Sequence, residues 1–372
     1  MSVEVLPDDR ALRSGRRQRV LDQMAAHDLD VLVLGRQANI RYVTGAPQLW
    51  VAGTRPFGPS CVLVRETGAI HLLSTWDEGV PDDIPRENLY GIAWNPVNTM
   101  AVLKRIQGAS TARRVGTEAI SPVFAQLLPT AFPNAELVDG ELAMRGARRI
   151  KTAEEIFALR AAIAVAESGL AAAVAGLHPG VREQTLAGVM MEAMAAGGVS
   201  TPANQEFAWV TSRDHPWRRV NGDGRVNDGD LAAFSAGVLA GGYMGEVGRT
   251  WPAGAVGNAA PLYARWDRLW SALLNACRPG AAAAELLGAY EAAGEPAPPM
   301  PVARGLGMGF DPPVISQHLP ETAAGERLDP GMVLAVTGYV WEQGVGAVFG
   351  REAVLITDDG HEVLTSSPSW RK

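Results

Sequence analysis

Two stretches of this chain have the form of long β-hairpins, and they restrict its C-terminal half to an antiparallel sheet. Residues 231–250, LAAFSAGVLAGGYMGEVGRT, are two apolar runs around Gly241 and Gly242, the turn signal expected between paired strands. With the turn centred between Ala240 and Gly241, Ser235 is predicted to face Glu246, and partners opposite one another point to the same side of a sheet. Residues 333–357, VLAVTGYVWEQGVGAVFGREAVLIT, repeat the arrangement around Gly344 and Gly346. Centring that hairpin on Gly344 places Thr337 opposite Arg351.

Between the hairpins lies ARGLGMGFDPP, residues 303–313. Its glycines permit close approach to a neighbouring strand or a ligand. Upstream, residues 148–184 hold an Ala-rich amphipathic segment ended by Pro179-Gly180, a long helix by propensity. Earlier still come an Arg-rich helix, the turn Asp28-Leu29-Asp30, the buried-type strand Val31-Leu32-Val33-Leu34, and Asn39-Ile40-Arg41-Tyr42-Val43-Thr44-Gly45.

This order of parts resembles the pita-bread superfamily of methionine aminopeptidases, prolidases, Xaa-Pro aminopeptidases and creatinase. The opening Ile150-Lys151-x-x-Glu154-Glu155 is similar to the helix that starts the pita-bread domain, and residues 16–46 resemble the N-terminal domain of prolidases and creatinase. The fold class implied is an α/β N-terminal domain, residues 1–146, followed by an α+β pita-bread C-terminal domain, residues 147–372.

The resemblance also locates five positions that hold two metal ions in the metallopeptidases. The paired aspartates of the first hairpin, eleven apart, correspond here to Ser235 and Glu246, with Gly237, Arg249 and Thr250 retained. The His-Gly-x-Gly segment corresponds to Arg304-Gly305-Leu306-Gly307. The two glutamates of the last hairpin correspond to Thr337 and Arg351, or to Glu352 if the register moves by one.

Charge arithmetic separates the two sets. Two Asp, two Glu and a neutral His carry about four negative charges, matched to two hard divalent cations. Ser, Glu, Arg, Thr and Arg sum to about plus one, and guanidiniums do not deprotonate at ordinary pH. The sequence therefore predicts no catalytic metal and no cofactor, but a pocket that favours an anion or carbonyl oxygen, and paired guanidiniums suit a carboxylate.

Creatinase, as the resemblance implies, hydrolyses a C–N bond without metal, using a histidine that falls at Arg218 in this chain. His215 takes that place only if the loop is shifted by three residues. Glu246 is then the surviving acid or base, and an equal alternative is that it merely neutralises Arg304 and Arg351. Ser235 and Thr337 are expected to fill space and hydrogen-bond, since neither has an adjacent base. Asp311 is a candidate for a substrate amine or a turn residue, and His318 for a surface side chain. Trp217, Tyr243 and Trp341 are candidate pocket walls or simple packing.

Composition narrows the class further. The 372 residues are 47% hydrophobic and 20% charged, enough for two buried cores and unlike a disordered chain. A net charge of −7 argues against a nucleic-acid partner. The sequence shows neither an apolar leader nor a run of 18 apolar residues, giving an expectation of a cytoplasmic, non-membrane protein. Cys61 and Cys277 sit in apolar surroundings and read as buried thiols. The basic cluster Arg13-Ser14-Gly15-Arg16-Arg17 reads as a solvated helix face or a dimer contact. The resemblance further implies a homodimer, with Arg36, Arg41 or Arg55 offering a second anion contact to a partner's pocket.

Three functions fit: a metal-independent, creatinase-like hydrolase of a small carboxylate-bearing amino-acid derivative; a non-catalytic binding or assembly protein; or an Xaa-Pro metallopeptidase with differently placed ligands.

Overall fold

The computed structural model describes residues 9–47, 58–74, 77–91, 95–199, 202–203, 207–217, 224–318 and 325–369. The chain forms two compact units, Asp8–Arg149 and Ile150–Lys372. The boundary expected after residue 146 falls inside the last helix of the first unit, and the division comes after Arg149.

The first unit contains α1 (Arg10–Ala26), β1 (Val31–Leu34), α2 (Gln37–Thr44), β2 (Cys61–Val64), β3 (Ile70–Ser74), β4 (Leu89–Gly91), α3 (Pro96–Leu103), β5 (Arg114–Glu118), α4 (Pro122–Leu127), β6 (Glu136–Asp139) and α5 (Glu141–Arg149). Its mixed six-stranded sheet has the order β4-β3-β2-β1-β5-β6. β1 is buried at all four positions, as an unbroken Val-Leu run at the centre of a covered sheet should be. The chain enters β1 through Asp28, whose φ of 51° is the left-handed conformation that Asp tolerates in turns. The basic cluster of α1 is not a solvated face. Arg16 is fully buried and donates from Nε to the Tyr42 carbonyl at 2.8 Å, and Arg17 bonds the Val43 carbonyl and Asp83.

The second unit opens with α6 (Ala153–Ala175), followed by α7 (Glu183–Ala196), β7 (Ala208–Val210), β8 (Leu231–Ala240), β9 (Tyr243–Pro252), α8 (Ala260–Ala276), α9 (Glu285–Ala293), β10 (Ala303–Leu306), β11 (Phe310–Ile315), β12 (Val333–Glu342), β13 (Gly346–Ile356) and β14 (His361–Val363). Thr152 caps α6 and Glu155 bonds back to the Thr152 amide, a reciprocal capping box that contributes about 1 kcal/mol. By length and composition α6 is apolar enough to cross a membrane, yet it is a core helix here, packed on β8, β9 and α7. The contact is close at Gly245, where any side chain would strike the Ala162 backbone.

All pairings in the second sheet are antiparallel, in the order β11-β10-β12-β13-β9-β8-β7, with β14 on β13. Thr337 lies opposite Arg351, as expected. The first hairpin is offset from expectation by one residue on each strand. Gly241 and Gly242 both have positive φ, 57° and 89°, so both occupy the central positions of a tight turn of the type favoured in hairpins. Ala240 therefore pairs with Tyr243, Gly237 with Glu246, and Ser235 with Gly248. Ser235 and Glu246 remain on one face, as diagonal neighbours.

The two hairpins meet where Arg351 pairs with Gly248. Strand alternation then gives the sheet a front face carrying Ser235, Glu246, Gly248, Thr337 and Arg351, and a back face carrying Tyr243, Gly245, Arg249 and Glu352. The main core lies behind the sheet. There α8 and α9 bury Leu269, Leu273, Leu286 and Tyr290 among Leu334, Val336, Val354 and Ile356. Cys277 belongs to this core and Cys61 to that of the first unit. Both are free and buried, and burial pushes each thiol up to about 12, which leaves them unreactive.

Candidate active site

Alternation along β9, β12 and β13, together with the pairing of Arg304 with Ala335, brings Glu246, Arg304, Thr337 and Arg351 to the front face. Glu246 is almost fully buried and accepts a charge-assisted hydrogen bond from Nη2 of Arg304 through its Oε1. Its Oε2 lies 3.6 Å from Nη1 of Arg351 and accepts no hydrogen bond among the described residues. Arg351 donates from Nε to Oγ1 of Thr337 at 3.1 Å, and its guanidinium carbon stands 5.4 Å from the centre of the Phe349 ring.

The two guanidiniums are differently placed. Arg304 is buried, and Nη2 also contacts the Met244 sulfur at 3.5 Å. Burial pulls its pKa down, against the pull of Glu246, but a guanidinium in this setting remains charged. Arg351 is more open, with 18% of its side chain exposed. Neither of its Nη atoms makes a hydrogen bond to a described residue, so this cation retains donors for a ligand.

The glycine segment sets the position of Arg304. Gly305 comes so close to the Asp311 and Pro312 carbonyls that a Cβ would lie 2.6 Å from each. A bulge between Arg304 and Gly305 re-aims the strand. The Met244 amide donates to the Gly307 carbonyl at 2.8 Å, tying this segment to the start of β9.

Several candidate residues take other places. Asp311 is fully buried, and its Oδ2 accepts from Lys151 Nζ at 3.0 Å with both side chains 1% exposed. Its charge is thus neutralised inside the protein and not offered to a substrate amine. Tyr243 occupies an odd position of β9 and turns to the back face, where its hydroxyl donates to Glu155 Oε1 at 3.1 Å. Glu352 also turns back, to Arg249 at 2.9 Å and Thr365. The one-residue shift that would have put Glu352 in the site is excluded by the register. Ser235 is buried on the front face.

Trp217 and Trp341 lie on the front face with Tyr339 and Phe349. His215 and His318 are exposed, and Arg218 and Arg55 lie outside the described residues. In the first unit, Arg36 stands 3.5 Å from Glu118 and 3.6 Å from Glu141.

The sequence did not single out Tyr339, Phe349, Trp209 or Gly248, and it marked Lys151 only as part of the opening of the second domain. Period-two alternation finds two of them, since Tyr339 lies two residues after Thr337 and Phe349 two before Arg351. Gly248 is glycine because a Cβ there would meet the Phe349 ring at 2.4 Å.

The chain matches the profile of metallopeptidase family M24 over residues 158–358, and that of the creatinase/prolidase N-terminal domain over residues 16–150. This chain belongs to metallopeptidase family M24. Among relatives of this M24 chain, an uncharacterised hydrolase/peptidase of Sinorhizobium fredii (strain NBRC 101917 / NGR234) is 26% identical over 98% of this chain and 97% of its own length. Creatinase of Bacillus sp. (strain B-0618) is 24% identical over 95% and 90%. The prolidase structure from Pyrococcus horikoshii OT3 superposes with a TM-score of 0.77 at 18% identity, over 95% of this chain and 99% of that one. The family's fold is thus present from the N-terminal domain through the pita-bread sheet.

The family name implies metal ions, and the groups on the front face do not suit them. These groups are a carboxylate, two hydroxyls and two guanidiniums, whereas hard divalent cations require an oxygen-rich, net-anionic set. Among the described residues, no group of three or more His, Cys, Asp or Glu is placed to hold a metal ion.

Proposed function

We propose that this M24 protein is a metal-independent, creatinase-like hydrolase that binds a small amino-acid derivative by its carboxylate and cleaves a C–N bond. The observation that carries this reading is Arg351, a partly open cation on the site face with neither Nη atom hydrogen-bonded to a described residue. A guanidinium presents paired donors that match a carboxylate. Thr337 fixes the other edge of the group through Nε, so the fork is pre-oriented.

In the hydrolytic step a water oxygen bonds to the acyl or amidine carbon as the C–N bond breaks. The water's proton ends on the departing nitrogen. Glu246 is the site's proton carrier, and Arg304, in contact with it, offers positive charge to the oxygen or nitrogen that becomes negative. The creatinase among its relatives is consistent with C–N chemistry on this fold.

A second reading, a non-catalytic carboxylate-binding protein, is favoured by one observation. Glu246 is almost fully buried between two guanidiniums, an arrangement that suits charge neutralisation as well as proton transfer. A metallopeptidase reading is opposed by the donor chemistry of the front face.

Titration calorimetry of N-acetylglycine, followed by an assay for released amine, separates these readings. Binding weakened about tenfold or more by Arg351→Ala, with amine release lost in Glu246→Gln, supports the hydrolase. Binding without release by the wild type supports the binding protein. Equal affinity in wild type and Arg351→Ala would remove the basis for both.

A further inference from the structure

We infer that the ligand of the front-face site carries a flat ring one strand rung away from its carboxylate, as in an N-aroyl amino acid. This rests on Arg351 as the carboxylate anchor and names the body attached to that carboxylate. On β12 and β13 the rung next to Thr337–Arg351 on the same face is Tyr339–Phe349. Strand geometry separates successive same-face rungs by about 7 Å. That backbone spacing, with the Arg351 guanidinium carbon 5.4 Å from the Phe349 ring centre, is of the order of the span between the carboxylate and the ring centre of a benzoylated amino acid.

The aromatic residues form a continuous surface at that rung. Trp209 lies 5.5 Å from Phe349, and Trp217 lies 4.3 Å from Tyr339, measured between ring centres. Tyr339 and Phe349 are buried, whereas Trp209 and Trp217 keep part of their surface uncovered.

Trp217 is held in an unusual way. Its φ of 65° is the left-handed conformation, costly for a bulky side chain. Its amide donates to the Tyr339 hydroxyl at 3.4 Å. Packing alone does not call for a strained residue whose indole remains partly uncovered; presentation of that indole to a planar ligand does.

Charge decides between a neutral ring and an organic cation. Aromatic walls also bind ammonium groups, but the Arg351 guanidinium already lies over the Phe349 ring of this wall and repels them. Glu246, the nearest carboxylate of the cluster, is already bonded to Arg304.

The test is calorimetric titration of the full chain with N-benzoylglycine, N-acetylglycine and benzylamine. N-benzoylglycine is expected to bind about tenfold more tightly than N-acetylglycine, with no binding of benzylamine. Trp217→Ala is expected to abolish the preference while leaving N-acetylglycine affinity within about twofold, and Arg351→Ala to weaken both acids. Should Trp217→Ala fail to fold, Trp217→Leu serves the same comparison, and the wild-type preference stands as an independent measurement. Equal affinity of the two acids, or a preference that survives loss of the indole, overturns the ring proposal while leaving carboxylate binding intact. Failure of both acids to bind the wild type overturns the carboxylate reading and the ring proposal together.

Discussion

The two faces of the C-terminal sheet build ion clusters from neighbouring residues of the same strands, and the clusters differ in balance. On the back face Arg249 and Glu352 form a one-to-one pair at 2.9 Å. Arg249 also donates to the Gly248, Arg351 and Ser367 carbonyls, and Thr365 donates to Glu352. On the front face Glu246 serves both Arg304 and Arg351, with Asp311 adding a weaker pull on Arg304, and neither Nη atom of Arg351 is hydrogen-bonded to a described residue. A balanced pair of one guanidinium and one carboxylate is a structural device. An unbalanced cluster with a partly open cation has capacity left for a ligand.

The largest effect expected is on the front face. Glu246→Ala removes the carboxylate bonded to buried Arg304 and should cost about 3–5 kcal/mol in urea unfolding. A loss below about 1 kcal/mol would show that Arg304 is not held by this carboxylate. Arg351→Ala should divide the faces by function, costing about 1 kcal/mol or less as a partly exposed pair while weakening carboxylate binding about tenfold. Should it destabilise the fold as strongly as Glu246→Ala, Arg351 is structural and the contrast between the faces collapses.

A smaller loss is expected behind the sheet. Gly338 and Gly350 lie opposite one another beneath the Trp266 indole, and a Cβ at Gly350 would come within 2.3 Å of that ring. Gly350→Ala should cost about 1–3 kcal/mol by overpacking without altering ligand affinity. A change in affinity without a change in thermal midpoint would contradict the separation of the faces.

The smallest effect is a pH dependence. Burial raises the Glu352 pKa, outweighing the opposing pull of Arg249. A carboxylate with a raised folded pKa binds protons more readily folded than unfolded. Its contribution to stability is therefore most favourable below the ordinary carboxylate range and declines as pH rises through the folded value. Glu352→Gln should lack this decline when thermal midpoints are compared across that range. Parallel curves for wild type and variant would show that Glu352 does not carry it.

Much of the fold was legible because its signals are local. Apolar runs around glycine pairs gave both hairpins, and the Thr337–Arg351 register followed from Gly344. The first hairpin was misplaced by one residue per strand, because the two glycines form the turn together and centre it between themselves. That correction leaves Ser235 and Glu246 on one face but separates them diagonally. Tyr243 was misassigned for the same kind of reason, since strand parity was not carried along β9.

The roles of Asp311 and Arg16 depend on partners far away in sequence. Lys151 is 160 residues from Asp311, and no turn or period signal links them. Arg16 reads as exposed in a basic cluster, but its bond to the Tyr42 carbonyl comes from tertiary packing. Local patterns thus reveal which side of a strand a residue takes. They do not reveal which buried charge another element will neutralise.

The most direct test of the unbalanced front face is metal uptake at equilibrium. The purified protein is dialysed against Mn²⁺ or Co²⁺, and bound metal is measured by plasma mass spectrometry. With Arg304 and Arg351 at the site, bound metal should stay far below one ion per chain. Uptake approaching two ions per chain, lost on Glu246→Ala, would contradict the cationic site and return this protein to the metal-dependent chemistry of its family.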